Sequence, residues 1–202
     1  MRAGKLLRIG GYVSGGVLIA FGIVVIVLGV WGISFTRDHL EQEGIVFGPA
    51  SDPAVAEHAE QWAGEQVKTG SQALAFANVM REHTLESTGG LTYAEMGRFQ
   101  SAADPTDPKG TNDEAAAAKD ENGQPISNGA RDIWVTETAL TTALNMGFMS
   151  EMLSVFSIVV GVALLLTGIG FVILAIAVFG RARPAEATIA PAPAPVPGAA
   201  AG

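Results

Sequence analysis

The chain has 202 residues and a formal net charge of −8, with 25 glycines, no cysteine and 49% hydrophobic residues. This length is enough for one small domain, and the lack of cysteine excludes disulfides, thiolate chemistry and cysteine–zinc sites. The acidic excess also argues against nucleic acid as a partner, because like charges repel.

The first element is an apolar block at 9–36, which contains no charged residue and follows Arg2, Lys5 and Arg8. About 20 apolar residues are enough to cross a bilayer. A cleaved signal peptide has a shorter apolar region, about 7 to 15 residues, followed by a small-residue cleavage site that is missing here. We therefore predict an uncleaved signal anchor, transmembrane helix 1, at 9–36, after a cytoplasmic N-terminus at 1–8.

A second charge-free block, at 152–180, is followed by Arg181 and Arg183, and predicts transmembrane helix 2 at 151–180. Basic residues that flank a span stay in the cytoplasm, so both ends of the chain are expected inside. Residues 37–150, with 7 basic and 18 acidic side chains, are then expected outside. The predicted fold class is an all-α membrane protein with two transmembrane helices and a small helical extracytoplasmic domain inserted between them.

Small residues recur along both predicted spans at a spacing of about one helical turn. Those singled out for helix packing are Gly11, Gly15, Gly16, Ala20, Gly161 and Gly168. Small residues let helix backbones approach closely, so they serve either to pack the two helices of this chain or to bind a partner's helix. Arg37 and Glu151 mark the outer ends of the two spans, and we expect this interface pair to lie close together.

Helix signals dominate the first part of the predicted outer domain. Asp52 before Pro53 is an N-cap, and it opens a helical run that continues to Val67. Residues 71–86 form an amphipathic run that ends at Thr88. Thr92 with Glu95 is a capping box, which predicts a short helix. Gly70 is expected to break or bend the first of these runs.

Residues 104–131 are rich in proline, glycine and acids, and predict a surface excursion with turns at Asn122 and Asn128 and one short helix capped by Thr111 and Glu114. Residues 133–152 contain no proline and are expected to continue as one helix into the second span. The alanine- and proline-rich residues 181–202 predict a disordered cytoplasmic tail.

Histidines among carboxylates raise the question of a metal site. The candidate ligands are His39, His58, His83, Glu43 and Glu86, of which His39 with Glu43 and His83 with Glu86 have helical spacing. Their spacing matches no metal signature such as HExxH, and a hydrogen-bonded histidine in the core also accounts for His83. No metal, cofactor or catalytic residue is therefore assigned.

Three segments resemble an uncharacterised family of two-pass membrane proteins from actinobacteria. They are TGGLTYAEM, TNDEAAAAKDENGQPISN and TETALTTALNMGFM, which begin at Thr88, Thr111 and Thr136. Some members carry the name aromatic ring-opening dioxygenase, alpha-subunit type. The resemblance implies the two-pass topology and a bacterial cytoplasmic membrane, and that name would imply iron held by two histidines and a carboxylate.

The sequence leaves three functions open. We expect a non-catalytic membrane accessory or interaction protein that presents a helical ectodomain outside the cytoplasmic membrane. The alternatives are a membrane-anchored, dioxygenase-like metal enzyme and a homo-oligomeric pore or membrane-organising protein. Ionisable residues are missing from both span interiors, which disfavours an ion or proton pathway through this chain alone. The expected partners are the lipid bilayer and other membrane proteins, or a second copy of the chain.

Overall fold

The computed structural model describes residues 2–177. This part of the chain contains no β-strand, only isolated bridges, and folds into four α-helices and one 3-10 turn at Glu60–Trp62. The helices are α1 (Arg2–Gln42), α2 (Pro53–His58), α3 (Gly70–Ser87) and α4 (Gly129–Ala177). The predicted helical fold class is confirmed for these residues, whereas the predicted tail at 181–202 lies outside them.

The two long helices, α1 and α4, are long and apolar enough to cross a membrane. Only 11% of the most apolar stretch of α1 and 17% of that of α4 are buried. A core helix of a soluble protein would bury most of such a stretch. Large apolar side chains of both helices are therefore exposed, among them Phe21, Trp31, Phe156 and Leu166. Residues 133–152 continue without a break into the second apolar stretch, as predicted, because both belong to α4.

The described residues form two compact units. The first contains 2–20 of α1 and 165–177 of α4, which pack on each other through small residues. The second contains 21–164, and so includes the rest of both long helices together with α2 and α3.

The core of the second unit lies among α2, α3 and the neighbouring turns of the long helices. Phe47 stacks on Trp62 with ring centroids 6.1 Å apart and meets the edge of Phe76 at 5.3 Å. The aliphatic members of this core include Leu40, Val55, Val67, Ala73, Val79 and Leu144. Burial of such side chains contributes about 1.5 to 3 kcal/mol each, so this cluster is what holds the small helices in place.

Helix α2 begins as predicted but is much shorter. The Asp52 carboxylate accepts hydrogen bonds from the backbone N–H groups of the first turn, as an N-cap does. The predicted continuation to Val67 is wrong, because α2 ends at His58, where Ala59 leaves the helical region with a φ of −150°. Gly64, with a φ of +76°, then turns the chain back. The returning segment pairs with the residues after α1, where the N–H of Val67 donates to the carbonyl of Ile45 at 2.8 Å.

The predicted helix after Thr92 is absent. Glu95 does accept the predicted capping hydrogen bond from the N–H of Thr92, at 2.8 Å, but the chain forms only a turn there. Gly97 lies against the backbone of Thr111 so closely that a Cβ would overlap it. The backbone N–H of Phe99 donates to the carbonyl oxygen of Thr111 at 2.9 Å, and the N–H of Thr111 donates back to the carbonyl oxygen of Phe99. These backbone hydrogen bonds between distant residues form in place of the local helix.

Residues 104–131 form turns without the short helix predicted at Thr111 and Glu114. The turn at Asn122 is present, where Gly123 has a φ of +76°. Asn128 does not form a turn but caps α4, accepting the N–H of Ala130 at 3.1 Å. Its side-chain amide is buried and donates to the carbonyls of Gly97 and Pro108, which ties this excursion to the start of α4.

Candidate functional site

Arg37 and Glu151 meet in the second unit. The guanidinium Nη2 of Arg37 donates to Oε1 of Glu151 at 2.7 Å. The other carboxylate oxygen, Oε2, accepts the backbone N–H of Gly70, also at 2.7 Å. Glu151 is buried, and both of its oxygens have a short, charge-assisted hydrogen bond. This cluster of Arg37, Gly70 and Glu151 is called the junction below.

The junction fastens the start of α3 to both long helices. Gly70 is the first residue of α3, so its N–H has no partner inside the helix and is free to bind a carboxylate. A Cβ on Gly70 would lie 3.0 Å from the Cα of Phe148 and 3.0 Å from the Cβ of Glu151. Glycine is therefore what allows α3 to approach α4 closely enough to be bound.

In the first unit, the predicted packing glycines do not all face the same way. A Cβ on Gly11 would meet Cβ of Ala175 at 2.9 Å, and one on Gly15 would lie 2.7 Å from the carbonyl oxygen of Gly168. These glycines therefore serve the contact between α1 and α4. Gly16 is different, because a Cβ there would meet nothing within 4 Å.

Two further small residues complete this comparison. In the second unit, a Cβ on Gly161 would lie 2.8 Å from the carbonyl oxygen of Gly22, so Gly161 also packs the two long helices. Ala20, on the first unit, is exposed. The predicted set thus divides into residues that pack the helices of this chain and residues, Gly16 and Ala20, that remain on the surface.

The structure does not gather the predicted metal ligands. His39 bonds through Nδ1 to the carbonyl oxygen of Phe35 at 2.8 Å and stacks on its ring, while His83 lies 3.0 Å from the carboxylate of Asp52. The hydrogen bond from His83, with those from the backbone, holds the pKa of Asp52 below its usual value. Within 2–177, no group of three or more His, Cys, Asp or Glu residues is placed to hold a metal ion. His58 therefore does not form such a group with His39 or His83.

Two of those candidates line a groove between α1 and α4. The groove has a volume of about 410 Å³, and His39 and Glu43 lie on its wall. The rest of its lining is mostly apolar, including Phe35, Leu40, Ile45, Leu140, Leu144 and Met146. Glu86, the remaining candidate ligand, is not part of this groove.

A second acidic residue of α4, Glu137, is more deeply buried and less well bonded. Its side chain is 2% exposed. Oε2 accepts from Nη1 of Arg81 and from the hydroxyl of Thr138, both at 3.4 Å, which is near the limit for a hydrogen bond. Oε1 is buried and has no hydrogen-bond partner among residues 2–177. Such a group is costly to bury, and it stands out among the described residues.

Arg81 leaves that oxygen uncovered because an aromatic ring also holds its guanidinium. The group lies over the ring of Trp134 at 4.0 Å, a cation–π contact, and its side chain remains 46% exposed. Its one contact with the carboxylate is the 3.4 Å bond to Oε2 of Glu137. The guanidinium therefore balances the charge of Glu137 only in part.

Two cavities between α3 and α4 share Glu137 as a wall. The smaller, of about 210 Å³, is lined by Ala77, Asn78, Arg81, Glu137, Thr141 and Asn145. The larger, of about 350 Å³, is lined by Met80, Thr84, Gly129, Asp132, Ile133, Thr136, Glu137 and Leu140. The larger one, called the acid-lined cavity below, therefore has two acidic residues, Asp132 and Glu137, and no Lys, Arg or His among its lining residues.

Sequence reasoning missed Glu137, Arg81 and Trp134. One signal was available, since Glu137 is seven residues before Leu144, which itself is seven before Glu151. That spacing places all three on one face of a helix, so an acid at 137 falls on the apolar face. Its position on that face could be predicted, but its contact with Arg81 on another helix could not.

No protein-family model, curated protein or solved structure matches this chain. Function is therefore inferred from the geometry of the described residues. Three features carry it: the exposed apolar surfaces of α1 and α4, the fully bonded carboxylate of Glu151, and the incompletely bonded carboxylate of Glu137.

Proposed function

We propose that this chain is a non-catalytic, two-pass protein of the bacterial cytoplasmic membrane that holds residues 37–150 on the outer side and acts there as an accessory or interaction subunit. The observation that carries the proposal is the exposure of α1 and α4, since only 11% and 17% of their most apolar stretches are buried. Apolar surface of this extent is unfavourable in water and favourable in a bilayer.

The charge distribution supports the proposed orientation. Three basic residues precede the apolar part of α1, and Arg181 and Arg183 follow the apolar part of α4. Residues 37–150 carry 18 acidic and 7 basic side chains. The positive-inside rule then favours a cytoplasmic location for both basic flanks, with the acidic segment outside.

The surface of the first unit supports an interaction role. Gly16, Ala20 and Gly170 are exposed, and among residues 2–177 nothing lies within 4 Å of a Cβ built on Gly16 or Gly170. Small residues on a membrane-exposed helix face permit close approach of another helix. The proposed partner at this face is another membrane protein or a second copy of this chain.

Cysteine accessibility tests the topology, and the natural chain needs no prior removal of cysteines because it has none. Asn122→Cys lies in an exposed turn of the proposed outer segment, and Thr188→Cys lies in the proposed cytoplasmic tail. In right-side-out membrane vesicles, a membrane-impermeant maleimide should label Asn122→Cys at once. It should label Thr188→Cys only after the vesicles are opened. Labelling of both or of neither in sealed vesicles would contradict the two-pass arrangement.

Purification from native membranes tests the interaction role. The tagged full chain is crosslinked in its membrane and extracted in mild detergent, and the retained proteins are quantified. The proposal predicts a stoichiometric membrane complex whose yield falls when Gly16→Leu is introduced on the exposed face. Gly15→Leu is the contrasting variant, because it would disturb the packing of the chain itself. Recovery of the chain as a monomer after crosslinking would contradict the interaction role.

A further inference from the structure

The groove between α1 and α4 lies in the second unit, next to the outer ends of both charge-free blocks. Its lining includes Phe35 and Thr36 at the end of the first block and Ser150 just before the second. From Ser150 it extends along α4 as far as Leu140, which is about 15 Å along the helix axis. Its volume of about 410 Å³ is within the range of small-molecule sites. The groove therefore offers space for one ligand directly beside the apolar stretches.

Exposed aromatic rings extend the apolar surface of α1 into this groove. The ring centroid of Trp31 lies 5.2 Å from that of Phe35, which in turn lies 4.1 Å from that of His39. Trp31 belongs to the charge-free block, whereas Phe35 and His39 line the groove. Tryptophan is enriched at the level where a bilayer meets water. The apolar surface that would face lipid is therefore continuous with the groove.

The deeper part of the groove is apolar. Leu40 and Leu144 line it and are buried. The hydroxyl groups of Thr36 and Ser150 lie 2.8 Å apart and hydrogen-bond to each other across the two helices. Displacement of water from such a lining by a hydrocarbon chain is favourable.

The polar side chains of the lining favour a particular head group. His39 is held by the hydrogen bond from its Nδ1 to the carbonyl oxygen of Phe35. Glu43, which follows the last residue of α1, is exposed and also lines the groove. Its carboxylate repels an anionic head group and attracts the cationic part of a zwitterionic one. A zwitterionic lipid therefore fits this end of the groove better than an anionic lipid.

We propose that the groove binds one acyl chain of a zwitterionic phospholipid from the adjoining outer surface of the membrane. The chain packs against Leu40, Leu140 and Leu144, and the head group lies beside Glu43. This site rests on the proposed function, because lipid is next to Phe35 only if α1 and α4 span the membrane.

The test uses the full chain in nanodiscs of phosphatidylcholine that include a phosphatidylcholine with a photoreactive diazirine on its acyl chain. Lipid adducts are located by mass spectrometry after illumination. Met146 lines the groove and is 67% exposed, whereas Met149 is 63% exposed, does not line it and is nearer the second charge-free block. Adducts on Met146 should exceed those on Met149. A bilayer that simply covered both would label Met149 at least as strongly, and that result would overturn the proposal.

A pair of alanine variants locates the chain in the groove. Ala143 is exposed and lines the groove, and Ala139 is an exposed alanine of the same helix outside it. Ala143→Trp should reduce the adducts on Met146 roughly tenfold, because the indole ring excludes several methylene groups of the chain. Ala139→Trp should leave them at the wild-type level. An equal yield on Met146 in the two variants would overturn the proposal.

Adducts on Phe156, an exposed residue of the second charge-free block, distinguish this proposal from the proposed function. If Phe156 is labelled and Met146 is not, the groove does not bind lipid, but the two-pass arrangement stands. If neither is labelled, both proposals are wrong. Recovery of the chain as a dimer with Met146 unlabelled would identify a second copy as the occupant and would also overturn the lipid site.

Discussion

Helix α4 buries two glutamates on one face, about four turns apart, and the structure treats them very differently. At the junction, both oxygens of Glu151 have donors at 2.7 Å, one from Arg37 and one from Gly70. At the acid-lined cavity, Oε2 of Glu137 has only contacts at 3.4 Å, and Oε1 has none. The two sites also differ in packing, since the junction has no room for a Cβ on Gly70 whereas cavities flank Glu137.

Glu151 has a carboxylate that stabilises the fold, whereas the buried carboxylate of Glu137 is expected to destabilise it. Burying a charge is favourable only when its hydrogen bonds replace those it made with water. Glu151 meets that condition and connects α1, α3 and α4. Glu137 does not, and departures from such rules are concentrated at functional sites in natural proteins. Its unbonded oxygen is therefore the clearest departure from that condition among residues 2–177.

The largest expected effect comes from removing the cation at the junction. Arg37→Met would leave Glu151 buried with one donor, and we expect a loss of about 2 to 3 kcal/mol because water can reach part of the vacated space. Lys68→Met is the matched control, since Lys68 pairs with Glu41 at 2.5 Å but both side chains are half exposed. It should cost less than about 1 kcal/mol. Thermal unfolding in mild detergent measures both, and equal losses would contradict the role given to the junction.

Two glycines at the first residue of a helix sharpen the contrast in packing. Gly70→Ala would place a Cβ 3.0 Å from the Cα of Phe148, so α3 and α4 must separate by a few tenths of an ångström, at about 1 to 2 kcal/mol. Gly129→Ala, beside the acid-lined cavity, would meet nothing within 4 Å and should leave stability unchanged or slightly higher. The two unfolding temperatures decide between these outcomes. If Gly129→Ala lowers the unfolding temperature more than Gly70→Ala does, the space beside Gly129 is not open.

A smaller effect is expected at the guanidinium that lies between Trp134 and Glu137. Arg81→Lys keeps the charge but loses the planar group that lies 4.0 Å over the ring of Trp134. We expect a loss of about 0.5 to 1 kcal/mol, measured by thermal unfolding. A loss of stability as large as that of Arg37→Met would contradict this ranking, and would mean that the contacts of Arg81 hold the fold as firmly as the junction does.

The smallest effect concerns Asp52 and is confined to acid pH. Its hydrogen bond with His83 lowers the pKa of Asp52, so this carboxylate stabilises the folded chain above its ordinary pKa of about 4. The contribution disappears as the pH falls through the lowered value. The difference in unfolding temperature between wild type and Asp52→Asn should therefore shrink as the pH falls from about 4 towards the lowered value. A difference that grows over that range would contradict the sign of the shift.

Local sequence signals predicted the elements whose contacts are local. The N-cap at Asp52 and the long apolar helices follow from neighbouring residues, and both are present. The capping contact of Thr92 with Glu95 also forms, yet no helix follows, because the backbone of Gly97 instead packs against Thr111. That packing joins distant parts of the chain, and local patterns carry no information about it.

The same limit applies to the sites. Glycine spacing identified Gly15 and Gly168 as packing residues but could not tell them from Gly16, because which face of α1 meets α4 depends on the whole helix pair. Charge position predicted that Arg37 and Glu151 lie close together, whereas the N–H of Gly70 as second donor comes from the approach of α3. Glu137 was missed because its environment is formed by two helices that are distant in sequence.

The contrast between the two glutamates is tested most directly by one pair of variants, Glu137→Gln and Glu151→Gln, compared in the same thermal unfolding experiment without ligand. Both changes remove one charge and keep the side-chain volume. Glu151→Gln should lower the unfolding temperature clearly, because the charge-assisted bonds to Arg37 and Gly70 are lost. Glu137→Gln should leave it unchanged or raise it, because an incompletely bonded buried charge is removed. An equal or larger fall for Glu137→Gln would contradict the account.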